Sequence, residues 1–189
     1  VKMRISPQPP DTGIYFGRSD LPGRPRVKAE VGLVLDTKKG MAIGKDDWRI
    51  TTIEHLMAVF HGLGIDNALV EVDRDELPNG DGSGFYFAQQ LLEHGLVAQD
   101  KPRRYHYIRE PLWVEGTVNK QNEPLKALII ALPSDEFRIS YTFSSDHQVT
   151  GTQYYQYTHS QESFLKEIAP ARTIAFTREL DYLRSQGLA

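Results

Sequence analysis

The sequence contains no cysteine among its 189 residues. A protein without cysteine has neither a disulfide framework nor a zinc site built from thiolates, and its composition fits a reducing compartment. Long hydrophobic runs are missing as well. No run approaches the roughly 18 apolar residues that a membrane-spanning helix requires, so we expect no transmembrane segment.

A strong charge of either sign is also missing. The formal net charge is −3, so no broad basic field is present to attract nucleic acid, and we expect no nucleic-acid partner. Hydrophobic residues make up 40% and charged residues 25% of the chain, as in ordinary globular proteins. The length is enough for one large domain or two small ones.

Strand patterns followed by helix patterns occur twice along the chain, which is typical of an α+β fold. The predicted strands are 12–17, 26–35, 67–73, 105–115, 125–132, 136–143 and 150–158, and the predicted helices are 52–63, 84–94, 161–168 and 177–185. The polar, glycine-containing segment 38–50 is expected to be an insertion or a small flap.

One segment, Gln99–Arg104, has the composition of a linker. It is polar, contains Pro102 and follows the helix stop at Gly95, so the two halves of the pattern separate here. We therefore predict two domains, residues 1–98 and residues 104–189, each with strands followed by helices.

The segment Thr51–Met57 places an acid beside an imidazole at the start of the predicted helix 52–63. Glu54 and His55 lie to the side of an apolar stripe with helical spacing. The residues of this stripe are Ile53, Leu56, Met57, Phe60 and Leu63. The helix dipole disfavours a positive charge at this end, and neutral imidazole is the form that binds metals. A carboxylate next to a metal-binding histidine is a combination that hydrolytic metal sites use.

The same residues have a simpler interpretation. Thr51 and Glu54 have the spacing of a capping box, in which Glu54 would only satisfy a backbone N–H group. His55 would then be an ordinary surface or half-buried histidine. Local spacing alone leaves both interpretations open.

Two further segments also have two interpretations each, and a third segment has the pattern of a turn. The glycine-rich segment Gly80–Gly84 is either an anion cradle at a helix start or a tight turn. In Arg172–Phe176, the hydroxyl of Thr173 is a possible donor to an oxyanion, or the segment is a short connecting strand. Asp146-His147 has the composition of a turn between strands.

Six segments occur in an order that is typical of one enzyme family. They are Pro9–Phe16, Thr52–Met57, Gly62–Ala68, Asp81–Ser83, Ala171–Phe176 and Tyr182–Ala189. On these motifs, nearly the whole chain resembles the UDP-3-O-acyl-N-acetylglucosamine deacetylases, the zinc enzymes of lipid A biosynthesis. The resemblance implies two two-layer sandwich domains, each with helices packed on a mostly antiparallel sheet, and an active site between them. The second domain is expected to be incomplete.

The resemblance also implies roles for individual residues. Members hydrolyse the N-acetyl amide of UDP-3-O-acyl-N-acetylglucosamine with the help of zinc. By motif, His55 is a zinc ligand, Glu54 is the general base and Thr173 helps to hold the tetrahedral oxyanion. Phe176 is expected to line the acyl or sugar end of the site, and His147 to contact the nucleotide side. A cytoplasmic monomer, at most peripheral to the inner membrane, is expected.

Several parts of the family pattern are not found in this sequence. We expect the other two zinc ligands, and a histidine that protonates the leaving amine, beyond the equivalent of Ala189. We also expect a Gly-x-Gly-x-His segment before Val1. We therefore expect a fragment that is inactive by itself. The alternative is a non-catalytic, truncated or split protein that keeps the fold as a nucleotide-sugar binding or scaffold module.

Overall fold

The structure, a computed structural model, describes residues 1–37, 40–45, 47–120, 123–145, 147–173, 176–177 and 180–185. The strands are β1 (Met3–Pro7), β2 (Ile14–Arg18), β3 (Arg26–Lys28), β4 (Val34–Asp36), β5 (Ala42–Lys45), β6 (Trp48–Ile50), β7 (Ala68–Val72), β8 (Leu112–Lys120), β9 (Glu123–Ala131), β10 (Arg138–Ser144) and β11 (Thr152–Thr158). The helices are α1 (Glu54–Leu63), α2 (Phe85–His94), α3 (Gln161–Ser163) and α4 (Leu180–Ser185). This mixture of mainly antiparallel strands with helices confirms the predicted α+β class.

The chain divides into two compact units. One consists of Val1–Lys101 together with Ser160–Ala189, and the other is Pro102–His159. The first change of unit falls inside the predicted linker Gln99–Arg104, and the segment from Ser160 onward groups with the first unit. The division into domains of residues 1–98 and 104–189 stays a prediction.

The main sheet of the first unit has the strand order β1-β7-β2-β3. Strand β7 pairs antiparallel with β1 and parallel with β2. Its sequence is almost continuously apolar, as expected for a strand that is covered on both faces. Ala68, Leu69, Val70 and Val72 are all buried, so β7 lies at the centre of the core.

Helix α1 buries the stripe that its sequence predicts. The buried residues are Ile53 at the N-cap and Leu56, Val59, Phe60, Gly62 and Leu63 within the helix. Met57 is only half-buried, because Val59 takes more of the inward face. The helix ends at Gly64, whose φ of 73° gives the left-handed C-cap expected from glycine.

The described part of segment 38–50, which the sequence predicts to be an insertion or a small flap, forms strands β5 and β6. That this segment is an insertion stays a prediction. Strands β4, β5 and β6 form a three-stranded antiparallel sheet. Ala42, Ile43 and Ile50 of this sheet are buried. A Cβ at Gly44 would overlap the backbone of Trp48, so the glycine permits close approach of β6.

The unit Pro102–His159 contains two antiparallel hairpins, β8–β9 and β10–β11. On one face of the second hairpin, Ile139 pairs with Tyr157 and Tyr141 with Tyr155. The described residues of this unit form strands, turns and loops without a helix.

Across all the described ranges, none of the helices has the length and apolarity that crossing a bilayer requires.

A segment far along the chain packs against α1. Ser160 and Ser163 form a reciprocal capping box at the start of α3, which continues as a single π-type turn over Phe164–Ile168. Phe164 is buried. A Cβ at Gly62 would overlap its ring, so the glycine of α1 provides the space in which Phe164 packs.

We predict that Gly62→Ala destabilises the protein by about 1–3 kcal/mol, because a buried ring has little room to move away from an added methyl group. Gly32→Ala is the matched control, since nothing lies within 4 Å of a Cβ at that glycine. Urea unfolding of both variants tests this expectation. Equal stability of Gly62→Ala and Gly32→Ala would contradict the packing described for Phe164.

Candidate functional site

The chain turns sharply between β6 and α1. The Thr51 N–H donates to the Asp75 carbonyl at 2.8 Å, and the Leu77 N–H donates to the Thr51 carbonyl at 3.2 Å. The next residue, Thr52, has a φ of 61°, a left-handed conformation that is rare for a β-branched residue. Its hydroxyl donates to Glu76 Oε1 at 3.0 Å. These contacts fix the direction in which α1 begins.

The carboxylate of Glu54 is held by the backbone of a neighbouring segment. The Met41 N–H donates to Glu54 Oε2 at 2.8 Å, and the Met41 carbonyl accepts from the Ile53 N–H at 3.3 Å. The N-cap of α1 is Ile53, without a side-chain capping bond, and Glu54 is the first helical residue. The capping-box interpretation of Thr51 and Glu54 is therefore wrong, and the carboxylate has a different partner.

His55 lies beside Glu54 in the first turn of α1, as its position next to the apolar stripe predicts. Both side chains are half-buried, so neither packs on the core face of the helix. The start of α2 approaches this turn closely. A Cβ at Gly84 would lie 3.6 Å from the His55 carbonyl oxygen and 2.9 Å from Cγ2 of Val59. The catalytic and metal-binding roles of the two residues stay predictions.

The segment before α2 is a tight turn whose polar groups bind one another. The Ser83 hydroxyl donates to Asp81 Oδ1 at 2.7 Å, and the Ser83 N–H donates to the same oxygen at 3.1 Å. The Ser83 oxygen accepts from the Phe85 N–H at 3.2 Å. The turn interpretation of Gly80–Gly84 is thereby confirmed. Ser83, followed by the Arg172 guanidinium, holds the pKa of Asp81 below its usual value.

The segment that carries Thr173 is joined to this turn. Ser83 and Arg172 form an antiparallel bridge, and Arg172 Nη2 lies 3.0 Å from Asp81 Oδ2. Thr173 follows directly and is exposed, whereas Phe176 is half-buried. The contact between the start of α2 and His55 thus links the Thr173 segment to the start of α1. The sequence did not predict the pairing of Asp81 with Arg172, because nothing in local spacing reports a contact across 91 positions.

His147 belongs to the other unit, in the turn between β10 and β11. Its Nδ1 accepts from the Val149 N–H at 3.3 Å, and its carbonyl accepts from the Gly151 N–H at 2.8 Å. The turn interpretation is confirmed for His147, while Asp146 lies outside the described residues. Its contact with the nucleotide stays a prediction.

The described residues do not complete a zinc site. They contain no group of three or more histidine, aspartate or glutamate side chains that could hold a metal ion. A catalytic zinc needs three protein ligands. Among the described residues, His55 could therefore supply one ligand only.

The fold and the acid–imidazole pair together define an α+β protein with a candidate hydrolytic site at the start of α1. The whole chain, residues 1–189, matches the model of the UDP-3-O-acyl N-acetylglycosamine deacetylase (LpxC) family. The chain belongs to this family.

Individual relatives are similar to this chain over 98% or more of its length, and each is named UDP-3-O-acyl-N-acetylglucosamine deacetylase. The protein of Syntrophotalea carbinolica is 38% identical, with 100% of this chain and 59% of the relative covered. That of Nitratiruptor sp. is 39% identical, with 100% and 60% covered. That of Trichormus variabilis is 37% identical, with 98% and 65% covered. The chain thus spans about three fifths of the length of the curated relatives it matches.

We predict that Asp81→Asn destabilises the protein at neutral pH and that the difference from wild type closes in acid. A carboxyl with a depressed pKa in the folded state stabilises the fold above its unfolded pKa, and this contribution is lost as the pH falls through the lower folded value. Urea unfolding at pH 7 and at several values below about 4 tests the prediction. Asp100→Asn, at an exposed carboxylate, is the charge-matched control. A stability difference between Asp81→Asn and wild type that does not change with pH would contradict the depressed pKa of Asp81.

Proposed function

We propose that the complete protein hydrolyses the N-acetyl amide of UDP-3-O-acyl-N-acetylglucosamine, the committed step of lipid A biosynthesis. The observation that carries this proposal is the carboxylate of Glu54, which is fixed by the Met41 N–H at 2.8 Å and lies beside His55 in the first turn of α1. Family membership and the names of the relatives support the substrate. Because the chain spans about three fifths of the relatives' length, the proposed activity is that of the complete protein.

Glu54 is proposed to be the general base. It takes a proton from the attacking water, whose oxygen adds to the amide carbon before the C–N bond breaks to release acetate and the free amine. A base must be held within hydrogen-bonding reach of the proton that it accepts. The hydrogen bond from the Met41 N–H to Oε2 restricts the rotation of the carboxylate before substrate binds. Less entropy is therefore lost when the carboxylate is oriented for the reaction.

Thr173 and Phe176 are proposed to contact substrate. The exposed hydroxyl of Thr173 would donate to the oxyanion, a kind of interaction worth several kcal/mol when the donor is held in place. The bridge between Ser83 and Arg172 supports this role, because it anchors the residue just before Thr173. Phe176 would line the acyl or sugar end, and His147 would contact the nucleotide side.

Zinc is proposed as the cofactor, with His55 as one ligand. When bound, zinc supplies Lewis-acid polarisation of the amide carbonyl. The remaining ligands, and the group that protonates the leaving amine, would lie outside the described residues. We propose a monomeric, cytoplasmic protein, at most peripheral to the inner membrane.

In the complete protein, Glu54→Gln is expected to lower kcat by about 10²–10⁴, because a positioned general base typically contributes that factor. The measurement is deacetylation of the UDP-sugar under saturating substrate. Glu93→Gln, at an exposed carboxylate of α2, is the matched control and should retain wild-type kcat. Wild-type kcat in Glu54→Gln would contradict the mechanism, and an inactive complete protein would favour the binding or scaffold alternative.

For residues 1–189 alone, we predict well below one zinc per chain after dialysis. One histidine does not hold zinc tightly, since stable sites use three or four ligands. Elemental analysis of the purified chain measures the ratio. A stoichiometric, tightly held zinc would show that the chain contains ligands that this assignment has missed.

A further inference from the structure

Thr52 has a backbone conformation that its side chain disfavours. Its φ of 61° lies in the left-handed region, which glycine and asparagine adopt more readily than a β-branched residue. Such residues persist only where the surrounding structure holds them, and they occur preferentially at functional sites. Thr52 stands two positions before Glu54, so the strain lies at the entrance to the candidate site.

Contacts on both sides of Thr52 hold this conformation. Before it, Thr51 is fixed to the 75–77 segment through two backbone hydrogen bonds, at 2.8 and 3.2 Å. After it, the Ile53 N–H donates to the Met41 carbonyl at 3.3 Å. The Thr52 hydroxyl adds a fourth contact, its 3.0 Å hydrogen bond to Glu76 Oε1.

The same turn brings the Thr52 hydroxyl and the carboxylate of Glu54 to one place. A Cβ at Gly40 would lie 3.4 Å from Glu54 Oε1 and 3.7 Å from the Thr52 hydroxyl oxygen. The next residue, Met41, donates its N–H to the other oxygen of Glu54. A change in the backbone at Thr52 would therefore alter the direction from which the carboxylate approaches Met41.

We propose that Thr52 is a positioning residue for Glu54, and that its hydrogen bond to Glu76 is the contact through which it acts. This inference rests on the proposed function, because it needs Glu54 as the base. Stability alone does not account for a threonine here. Glycine would adopt the same φ with less strain, and a hydrogen bond to an exposed carboxylate such as Glu76 adds little to stability.

The test uses the complete protein and three variants. Thr52→Gly accepts the left-handed backbone without the hydroxyl, Glu76→Ala removes the acceptor, and Thr52→Ser restores a hydroxyl without the second branch. We expect Thr52→Gly and Glu76→Ala each to lower kcat by about 10- to 100-fold, since small misplacements of a catalytic group have effects of that order. KM should stay within about two-fold, and Thr52→Ser should recover most of kcat.

Two further measurements separate positioning from folding. The thermal midpoints of Thr52→Gly and Glu76→Ala should stay close to wild type, because the first variant relieves strain and the second changes an exposed side chain. The double variant Thr52→Gly/Glu76→Ala should lose no more kcat than either single variant, since both remove the same hydrogen bond. Glu93→Ala is the control for loss of an exposed carboxylate and should leave kcat unchanged.

The outcomes distinguish this inference from the proposed function. Wild-type kcat in Thr52→Gly and Glu76→Ala, together with loss of kcat in Glu54→Gln, would overturn the positioning role and leave the proposed function standing. Wild-type kcat in Glu54→Gln would overturn both. A fall in kcat that accompanies an equal loss of folded protein, without recovery in Thr52→Ser, would also overturn the positioning role.

Discussion

The burial of one face of α1 is the interaction on which the candidate site depends. Leu56, Val59 and Phe60 are fully buried, and each such side chain contributes about 1.5–3 kcal/mol. Rotating the helix to expose them would cost a large part of the roughly 5–15 kcal/mol that stabilises a typical domain. Because the stripe fixes the rotation of α1, Glu54 and His55 remain beside the core, half-buried and adjacent to each other.

Close approaches at two glycines connect distant segments to this helix. Gly62 makes room for the ring of Phe164, and Gly84 brings the start of α2 to the carbonyl of His55. The turn before α2 then pairs with Arg172 through a backbone bridge and an ion pair. Exposed ion pairs contribute little stability by themselves. The main effect of this pairing is to fix the course of the chain just before Thr173.

Sequence patterns predicted helices and strands correctly where the spacing of apolar residues, or a glycine at a helix end, gives a strong local signal. The apolar spacing of α1 and the glycine at position 64 predicted both the helix and its end. The predicted strand 67–73 coincides with β7. The sheet β4-β5-β6 was missed because its strands are three or four residues long and include Gly44, which leaves little alternation to detect.

The partners of the candidate site residues could not be predicted, for a different reason. The capping-box pattern assumed that the helix begins directly after Thr51, but the left-handed Thr52 delays it, so Ile53 becomes the N-cap and Glu54 the first helical residue. The hydrogen bond from Met41 spans 13 positions, and the pairing of Asp81 with Arg172 spans 91. Such contacts depend on tertiary packing, and no periodic pattern in the sequence indicates them.

Glu54 and His55 are proposed to have different tasks, proton transfer and zinc binding, and zinc affinity in the complete protein tests this division most directly. Equilibrium zinc binding should be close to wild type in Glu54→Gln, because this residue is assigned to proton transfer. It should be at least about 100-fold weaker in His55→Ala, which removes a direct ligand. Unchanged zinc affinity in His55→Ala, or an equal loss in both variants, would contradict the division of roles.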